Sequence, residues 1–156
     1  MTSTPNSSPQ ETTAARTQSQ LIDSARRTIE IELRAVTRLS KQLDDSFAHA
    51  CELILDCQGK VVVIGMGKSG HIGRKIAATL ASTGTTAMFV HPAEASHGDI
   101  GMIASDDVVL ALSNSGTTEE ILALISVLKR KAIPLISLTG NPNSELASAA
   151  AANLDA

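Results

Sequence analysis

Apolar positions along this 156-residue chain change repeatedly between two patterns. Short continuous apolar runs are typical of strands buried on both faces of a parallel sheet, whereas a three-four spacing is typical of helices that pack against such a sheet. After residue 59 the two patterns alternate, which predicts an α/β fold with a parallel sheet between layers of helices, an α/β/α arrangement. The predicted strands are 60–64, 86–90, 107–112 and 134–138, and the predicted helices are 70–82, 118–131 and 143–150.

Two helices are predicted to precede the sheet. Residues 17–43 carry apolar side chains at helical spacing, and Thr17 with Gln20 fits a capping box at the start. This helix is longer than the cover of one small sheet requires, so we expect it to pack against another subunit. A polar break at 44–46 separates it from a second helical stripe, 47–59, which ends in a glycine.

Both ends of the chain differ from the alternating part. Residues 1–16 are rich in Ser, Thr and Pro without hydrophobic periodicity, which predicts a disordered tail before a single domain at 17–156. At the other end, Asn153, Leu154 and Asp155 resemble the start of a fifth strand. Because a domain does not normally end on an uncovered strand, we expect a truncated fragment that lacks the last strand of the sheet and its covering helix.

Composition narrows the classes of function. With 43% hydrophobic and 19% charged residues, the chain has the content of one globular domain with an aliphatic core. Aromatic residues make up only 1% and the net charge is -3, so nucleic-acid binding through base stacking or a basic surface is not predicted. Cys51 and Cys57 are predicted to be reduced, and no apolar run reaches the roughly 20 residues of a membrane helix. Without a signal-peptide pattern, these features predict a cytoplasmic protein that does not bind membranes.

The stretch VVLALSNSGTTEE, residues 108–120, changes from a buried strand to a hydroxyl-rich turn and then to the start of a helix. Turns of this kind lie at the carboxyl ends of parallel strands, where ligands bind, and the next helix presents unpaired N–H groups and a positive dipole end. Ser113, Ser115 and Thr118 add hydroxyl donors, and Gly116 permits a close approach of the backbone to a ligand. Together they predict a site for a phosphate group.

Two carboxylates follow this turn. Glu119 and Glu120 occupy the first turn of the predicted helix, where the dipole favours a charged carboxylate, so either could simply cap the helix. Adjacent residues project about 100 degrees apart, and only one can face a bound ligand. Next to an anchored phosphate, that glutamate could remove a proton from a carbon beside a carbonyl, which is the work of an aldose-ketose isomerase. The residues alone do not choose between the two.

A glycine-rich segment, VVVIGMGKSG, covers the first predicted strand and the turn after it. Gly65, Gly67 and Gly70 fit the G-x-G-x-x-G pattern of dinucleotide sites, which leaves a nicotinamide-dependent oxidoreductase as one alternative. Such a site needs an acidic residue about 20 positions later, and His91 stands near that place instead. Lys68 is either a solvated loop lysine or a cation that reaches the same ligand-binding crevice as the turn that contains Ser113, Ser115 and Thr118.

A third candidate segment is HPAEASHGDIGM, residues 91–102, between the second and third strands. Its histidines and carboxylates are His91, Glu94, His97 and Asp99. The spacing of the two histidines matches no zinc motif, so metal binding is not the favoured interpretation. An imidazole beside a sugar phosphate could open the ring or transfer protons, whereas a loop histidine can also simply hydrogen-bond to backbone carbonyls.

In this order, GMGKSGHIGRK, HPAEASHGDIGM and SNSGTTEEI resemble the sugar isomerase (SIS) domain, and within it the arabinose 5-phosphate isomerases of the KpsF/GutQ type. The resemblance extends from about Leu21 to Ala156. It implies the SIS fold and conversion of D-ribulose 5-phosphate to D-arabinose 5-phosphate through an enediol, which feeds Kdo and lipopolysaccharide synthesis. It also implies a phosphorylated pentose as substrate, no metal or other cofactor for turnover, and a homo-oligomer, a tetramer in the family.

The resemblance also implies roles for individual residues. Phosphate is expected to bind the hydroxyl groups of Ser113, Ser115 and Thr118. The positions expected to be catalytic or substrate-binding are Lys68, His97 and Glu120. Further expected substrate contacts are Gly67, Ser69, Gly84, Thr85 and His91, the last of which also matches an inhibitory zinc position.

Two departures from the family pattern bear on activity. Thr117 stands where the family commonly has Glu after SNSG. The rest of the SIS domain, with a further catalytic Glu and His, and the paired CBS modules that usually follow are missing from the sequence. A non-catalytic sugar-phosphate-binding SIS module, as in some transcription regulators, is therefore the alternative to an enzyme, although no DNA-binding helix-turn-helix is predicted in residues 1–59.

Overall fold

The structure is a computed structural model that describes residues 17–96 and 98–155, without the side chains of Ser96 and Asp99. The predicted tail, 1–16, and the candidate catalytic residue His97 therefore lie outside the described residues. After Lys41 the chain divides into two compact units. The described part of the first contains one helix, and the second contains the sheet.

Helix α1, Gln18–Leu39, belongs to the first unit. It begins with the predicted capping box, in which the Thr17 hydroxyl accepts a hydrogen bond from the Gln20 N–H and the Gln20 side chain accepts one from the Thr17 N–H. None of its residues is buried. Its exposed large apolar side chains are Leu21, Ile22, Ile29, Ile31, Leu33, Val36 and Leu39. Neither α1 nor any other helix within the described ranges is long and apolar enough to span a membrane.

A five-stranded parallel sheet forms the centre of the second unit. Its strands are β1, Val61–Gly65; β2, Ala87–Val90; β3, Val108–Leu112; β4, Leu135–Thr139; and β5, Ala152–Asp155. They lie in the order β2-β1-β3-β4-β5. Every residue of β1 and β3 is buried, because central parallel strands are covered on both faces, and this explains their continuous apolar sequence.

Helices cover both faces of the sheet. Their bounds are α2, Asp45–Leu55; α3, Gly67–Ser82; α4, Pro92–Ser96; α5, Glu119–Arg130; and α6, Glu145–Ala149, with a 3-10 helix at Asp99–Met102. One hydrophobic core joins the sheet to α2 and α3 through residues such as Ala50 and Ala77. The other joins it to α4, α5 and α6 through residues such as Leu124 and Leu146. The predicted α/β/α arrangement is confirmed.

Most predicted strands and helices agree with the structure to within one or two residues at each end. Helix α3 starts at Gly67 rather than at 70, because the Gly70 N–H already bonds to the Met66 carbonyl and closes a first turn. Helix α2 starts inside the predicted break, where the Asp44 carboxylate accepts hydrogen bonds from two backbone N–H groups of the first turn. The apolar pattern does not predict α4 or the 3-10 helix.

The fifth strand predicted at Asn153, Leu154 and Asp155 is confirmed, since β5 pairs with β4 over four residues. Ser46, at the start of α2, binds this strand: its hydroxyl donates to the Asn153 carbonyl at 2.8 Å and accepts from the Asn153 N–H at 3.1 Å. The side-chain oxygen of Asn153 accepts hydrogen bonds from the buried hydroxyls of Ser137 and Thr139 on β4. These polar contacts fix β5 against both β4 and α2.

Asp107, directly before β3, is a buried carboxylate that ties the start of β3 to the start of β1. It is 1% exposed and accepts hydrogen bonds from the N–H groups of Lys60 and Ala104 and, at 2.8 Å, from the Lys60 ammonium. Burial by itself raises the pKa of this carboxyl. The hydrogen bonds from Lys60 and Ala104, with the charge of Lys60, outweigh burial, so the pKa of Asp107 lies below its ordinary value of 3.8.

Replacement of this carboxylate by an amide should destabilise the chain. In Asp107→Asn, one acceptor oxygen becomes an NH2 donor among other donors, and Lys60 loses its counter-charge. We expect the free energy of unfolding at pH 7, measured in urea, to fall by about 2–4 kcal/mol. Asp106→Asn, at the exposed neighbouring position, is the matched control and should change it by less than about 0.5 kcal/mol.

The same ion pair predicts how stability depends on pH. Because the folded-state pKa of Asp107 is lowered, its contribution is complete above roughly pH 5 and is lost as the pH falls through the folded-state pKa. Below about pH 4, the wild-type chain should therefore lose stability more steeply than Asp107→Asn. Parallel acid-unfolding curves for the two proteins would contradict this expectation.

Candidate functional site

The order of the strands defines where a ligand can bind. Strands β1 and β3 are neighbours in the sheet although β2 lies between them in sequence, so the direction of chain progression reverses between them. At such a switch point, the loops that leave the two carboxyl ends turn to opposite faces and leave a crevice. A cavity of about 220 Å³ lies in this crevice. Its lining residues are Lys68, Ser69, Ile72, Leu112, Ser113, Asn114, Leu138 and Gly140.

The first wall of the crevice is the start of α3. A Cβ placed on Gly70 would lie 2.8 Å from the Gly65 carbonyl oxygen, so the absence of a side chain allows α3 to begin directly over the end of β1. Lys68 and Ser69 therefore lie in the first helical turn, at the positive end of the helix dipole, rather than in a loop. Gly65 and Gly70 of the glycine pattern thus serve close packing of the helix on the strand.

The second wall is the serine turn, residues 113–118, which joins β3 to α5. The buried Ser113 hydroxyl accepts a hydrogen bond from the Gly116 N–H at 3.1 Å and lies 2.7 Å from the Thr118 hydroxyl. The exposed Ser115 hydroxyl accepts hydrogen bonds from both the N–H and the hydroxyl of Thr117. The hydroxyl groups that could bind a phosphate therefore also hold the turn in shape without one.

Gly116 joins this turn to the next loop of the same edge. Its φ is +66°, in the left-handed region that favours glycine, and a Cβ at this position would collide with the Ser144 side chain. Ser144 caps α6 by accepting a hydrogen bond from the Ala147 N–H. The Leu146 N–H in turn donates to the Gly116 carbonyl at 3.2 Å. The serine turn consequently packs against the first turn of α6 and is hydrogen-bonded to it.

Two helices, α3 and α5, begin at the crevice. Neither N-cap, Met66 nor Thr118, makes a side-chain hydrogen bond to its helix. The first N–H groups of a helix carry partial positive charge when no cap satisfies them, and the Lys68 ammonium adds a full charge at the start of α3. This edge of the sheet is therefore suited to an anion.

The position of Glu120 on α5 separates it from Glu119. Glu120 is half-buried and lies one turn before the buried Leu124, on the side of the helix that faces the sheet. Glu119 is exposed and lies one turn before the exposed Ala123. Of the two carboxylates that the sequence leaves equivalent, Glu120 is thus the one on the inward face.

His91 follows β2 at the same edge of the sheet. Its Nδ1 accepts a hydrogen bond from the Ala93 N–H at 3.3 Å, which places the proton of the neutral imidazole on Nε2. Across residues 17–96 and 98–155, no group of three or more His, Cys, Asp or Glu side chains is arranged to hold a metal. An inhibitory zinc position at His91 stays a prediction.

Two of the predicted substrate contacts lie elsewhere. Gly84 and Thr85 precede β2, at the amino ends of the strands, and so lie at the edge opposite to Ser113. They line a separate cavity of about 320 Å³ together with residues of the connection between α2 and β1. Within one chain the structure does not bring them to the serine turn, and their assignment as substrate contacts stays a prediction.

The remaining predicted site residues form two groups, apart from His97. Those that line the cavity are Lys68, Ser69 and Ser113. Those on the same two walls but outside the cavity lining are Gly67, Ser115, Thr118 and Glu120. His97 belongs to neither group, because it lies outside the described residues.

Asn114 and Gly140 line the cavity, although the sequence motifs do not single them out. The Gly140 N–H donates to the Asn114 carbonyl at 2.9 Å and so links the loops after β3 and β4. Both residues follow the carboxyl end of a predicted strand, which is the signal that could have found them. The cavity of about 220 Å³ is smaller than the roughly 300–1,000 Å³ of most small-molecule sites, which fits a wall of a site rather than a whole pocket.

Comparison with protein families decides what kind of domain contains this crevice. Residues 54–156 match the SIS domain, a range that includes every strand of the sheet and both walls. This chain belongs to the SIS domain family. The match confirms the family that the three sequence segments indicate. The only basis for a nicotinamide-dependent oxidoreductase is then the glycine pattern, and the packing of α3 on β1 accounts for Gly65 and Gly70 without a nucleotide.

Relatives of this SIS chain include two curated arabinose 5-phosphate isomerases. KdsD of Pseudomonas aeruginosa is 65% identical over 135 residues, which cover 86% of this chain and 41% of KdsD. GutQ of Escherichia coli K12 is 56% identical over 135 residues, which cover 86% of this chain and 42% of GutQ. The chain thus spans about two fifths of the length of these relatives.

Among solved structures, this SIS chain is similar to the c3406 protein of E. coli CFT073 in complex with A5P. The two superpose with a TM-score of 0.84 and 46% identity, over 90% of this chain and 74% of that chain.

The contact between Gly116 and Ser144 predicts a specific loss of stability. Gly116→Ala forces an L side chain into a left-handed backbone, which costs about 1–2 kcal/mol, and overpacks Ser144, which costs about 1–3 kcal/mol. We therefore expect the free energy of unfolding in urea to fall by about 2–5 kcal/mol.

Gly67→Ala is the matched control for this substitution. Gly67 has a similar φ of +54°, but a Cβ there would meet nothing within 4 Å. In Gly67→Ala the free energy of unfolding should therefore fall only by the cost of the left-handed backbone. The double variant Gly116→Ala/Ser144→Gly should recover most of the difference between the two. Equal losses in Gly116→Ala and Gly67→Ala would show that Ser144 does not constrain the turn.

Proposed function

We propose that this SIS domain interconverts D-ribulose 5-phosphate and D-arabinose 5-phosphate, and that the product serves Kdo synthesis for lipopolysaccharide. The observation that carries the proposal is the crevice between β1 and β3, where a hydroxyl-lined turn, Lys68 and the inward-facing Glu120 lie at the starts of two helices. The names of KdsD and GutQ and the A5P complex of the c3406 protein support the choice of substrate.

The phosphate of the sugar is proposed to bind at the serine turn. Ser115 and Thr117 are exposed, and in the hydrogen-bonded pair of Ser113 and Thr118 one hydroxyl donates to the other, which leaves the second proton free to point outward. Because a hydroxyl rotates at little cost, the bonds that hold the turn without ligand can be exchanged for bonds to phosphate oxygens. The start of α5 and the Lys68 ammonium supply the positive potential that a doubly charged phosphate requires.

Glu120 is proposed as the base of the isomerisation. In the open-chain ketose, its carboxylate takes a proton from C1, next to the C2 carbonyl, and the electrons of that bond form the double bond of an enediol. Return of the proton to C2, with transfer of a proton from the C1 oxygen to the C2 oxygen, gives the aldose without net consumption of protons. Lys68 would stabilise negative charge on the oxygens of the intermediate. Proton transfer or ring opening by His97 stays a prediction.

We further propose that the protein is a homo-oligomer, a tetramer by its resemblance to the family. Ile22, Ile29 and Val36 recur every seven residues along α1 and are 45%, 67% and 63% exposed, a stripe that favours burial against another chain. A neighbouring copy would also be the source of Gly84 and Thr85, if these residues contact the sugar. A cytoplasmic location, with Cys51 and Cys57 as free thiols, belongs to the same proposal.

Exchange of each glutamate for glutamine tests the assignment of the base. In the protein expressed from its complete reading frame, Glu120→Gln should lower kcat for ribulose 5-phosphate at least about 100-fold, because it removes a general base while keeping the shape of the side chain. KM should change less than about threefold, since the phosphate turn is intact. Glu119→Gln is the matched control, and its kcat should stay within about twofold of wild type.

Three outcomes of this experiment would change the proposal. Full activity of Glu120→Gln would exclude Glu120 as the base. Equal losses in both variants would indicate that the carboxylates act on the start of α5 rather than on the substrate. Calorimetric binding of arabinose 5-phosphate without any turnover by the wild-type protein would support a non-catalytic sugar-phosphate-binding module instead.

A further inference from the structure

Helix α5 ends in a strained turn. Ala132, just past the C-cap Lys131, has a φ of +54° and is the one non-glycine residue in the described ranges that adopts the left-handed region. Backbone bonds from Ala132 and Ile133 back into α5 form a Schellman motif, in which glycine usually occupies this position. An L residue there is strained relative to a right-handed backbone. The strain is maintained at the point where Lys131 leaves the helix.

Lys131 reaches from this turn to a neighbouring segment. Its Nζ lies 2.8 Å from the Ile103 carbonyl oxygen and 3.5 Å from the Ile100 carbonyl oxygen. Ile103 is the C-cap of the 3-10 helix, and the Ile100 carbonyl also accepts the Ile103 N–H at 3.2 Å. Lys131 is half-buried and Ile103 is 1% exposed, so water screens this contact only in part. A positive charge from the end of α5 thus caps the 3-10 helix.

The capped segment, residues 91–103, is most of the connection between β2 and β3. It begins with His91 at the edge of the crevice, includes His97 in its sequence, and enters the hydrophobic core through Ala95 and Ile103. Apolar contacts keep such a segment on the core but permit small shifts along it. Hydrogen bonds to a fixed ammonium are directional and resist those shifts.

We propose that Lys131 is a positioning residue that holds segment 91–103 in place against α5 and thereby fixes His91, a predicted substrate contact, relative to Glu120. The inference rests on the function proposed for the crevice. Because α5 is a continuous helix with a rise of about 1.5 Å per residue, Glu120 and Lys131 are held roughly 16 Å apart. One end of the helix carries the proposed base, and the other end holds the segment that begins with His91 at the edge of the crevice.

Lys131→Met tests this role because it keeps an unbranched apolar side chain and removes the charge and the donors. The matched control is Lys129→Met, which removes an exposed lysine from the last turn of the same helix. Lys131→Arg keeps a charged donor. Amide hydrogen exchange at Gly101 and Ile103, whose N–H groups bond within the capped segment, reports the anchoring. Steady-state kcat and KM of the protein from its complete reading frame report the effect on turnover.

We expect Lys131→Met to accelerate exchange at Gly101 and Ile103 at least about tenfold, because the segment opens more often. It should lower kcat for ribulose 5-phosphate at least about fivefold, since small misplacements of reacting groups are costly. KM should change less than about threefold because the serine turn is untouched. Lys131→Arg should recover most of kcat, and Lys129→Met should alter neither exchange nor kcat.

Two results would overturn the inference. Faster exchange with unchanged kcat in Lys131→Met would leave Lys131 as a structural anchor without a positioning role. Unchanged exchange, or equal effects in Lys129→Met, would exclude the anchor itself. If the wild-type protein turns over no sugar phosphate, the proposed function fails, and the exchange comparison alone then decides whether Lys131 fixes the segment.

Discussion

The register between β1 and β3 is the constraint on which the rest of the site depends. The two central strands pair from Val61 with Val108 to Gly65 with Leu112, and Asp107 fixes this pairing from the amino end by its bonds to the Lys60 backbone and side chain. Because the strands are equally long and in step, the chain leaves both at the same level, into α3 on one side and the serine turn on the other. A buried ion pair at one edge of the sheet thus determines the geometry of the crevice at the opposite edge.

Both walls of the crevice use the same device, a missing side chain where two pieces of backbone meet. Gly70 lets α3 start over the end of β1, and Gly116 lets the serine turn rest on the start of α6. Each helix can then begin almost immediately after its strand, which brings its N–H end to the crevice. The positive potential of the site is therefore largely a property of the backbone, and side chains such as Lys68 and the serine hydroxyls add selectivity to it.

Much of the fold can be read from the sequence, because strands buried on both faces appear as continuous apolar runs and helices as a three-four spacing. The early start of α3 escapes that reading, since a glycine-rich turn has low helix propensity and only the close contact with β1 makes it helical. The choice of Glu120 over Glu119 requires the face of α5 that packs on the sheet. Gly84 and Thr85 show a further limit. The family resemblance assigns them to the same site as the serine turn, whereas within one chain they lie at the opposite edge of the sheet.

At the edge of the sheet, Ser46 protects β5 from other chains. An edge strand with unsatisfied backbone groups is a template for strand addition and hence for aggregation. In a parallel strand the N–H and C=O of one residue point to the same side, and at Asn153 both are bonded to the Ser46 hydroxyl. The Ser46 hydroxyl therefore satisfies both outward backbone groups of Asn153, and at this residue β5 presents no free group to which an added strand could bond.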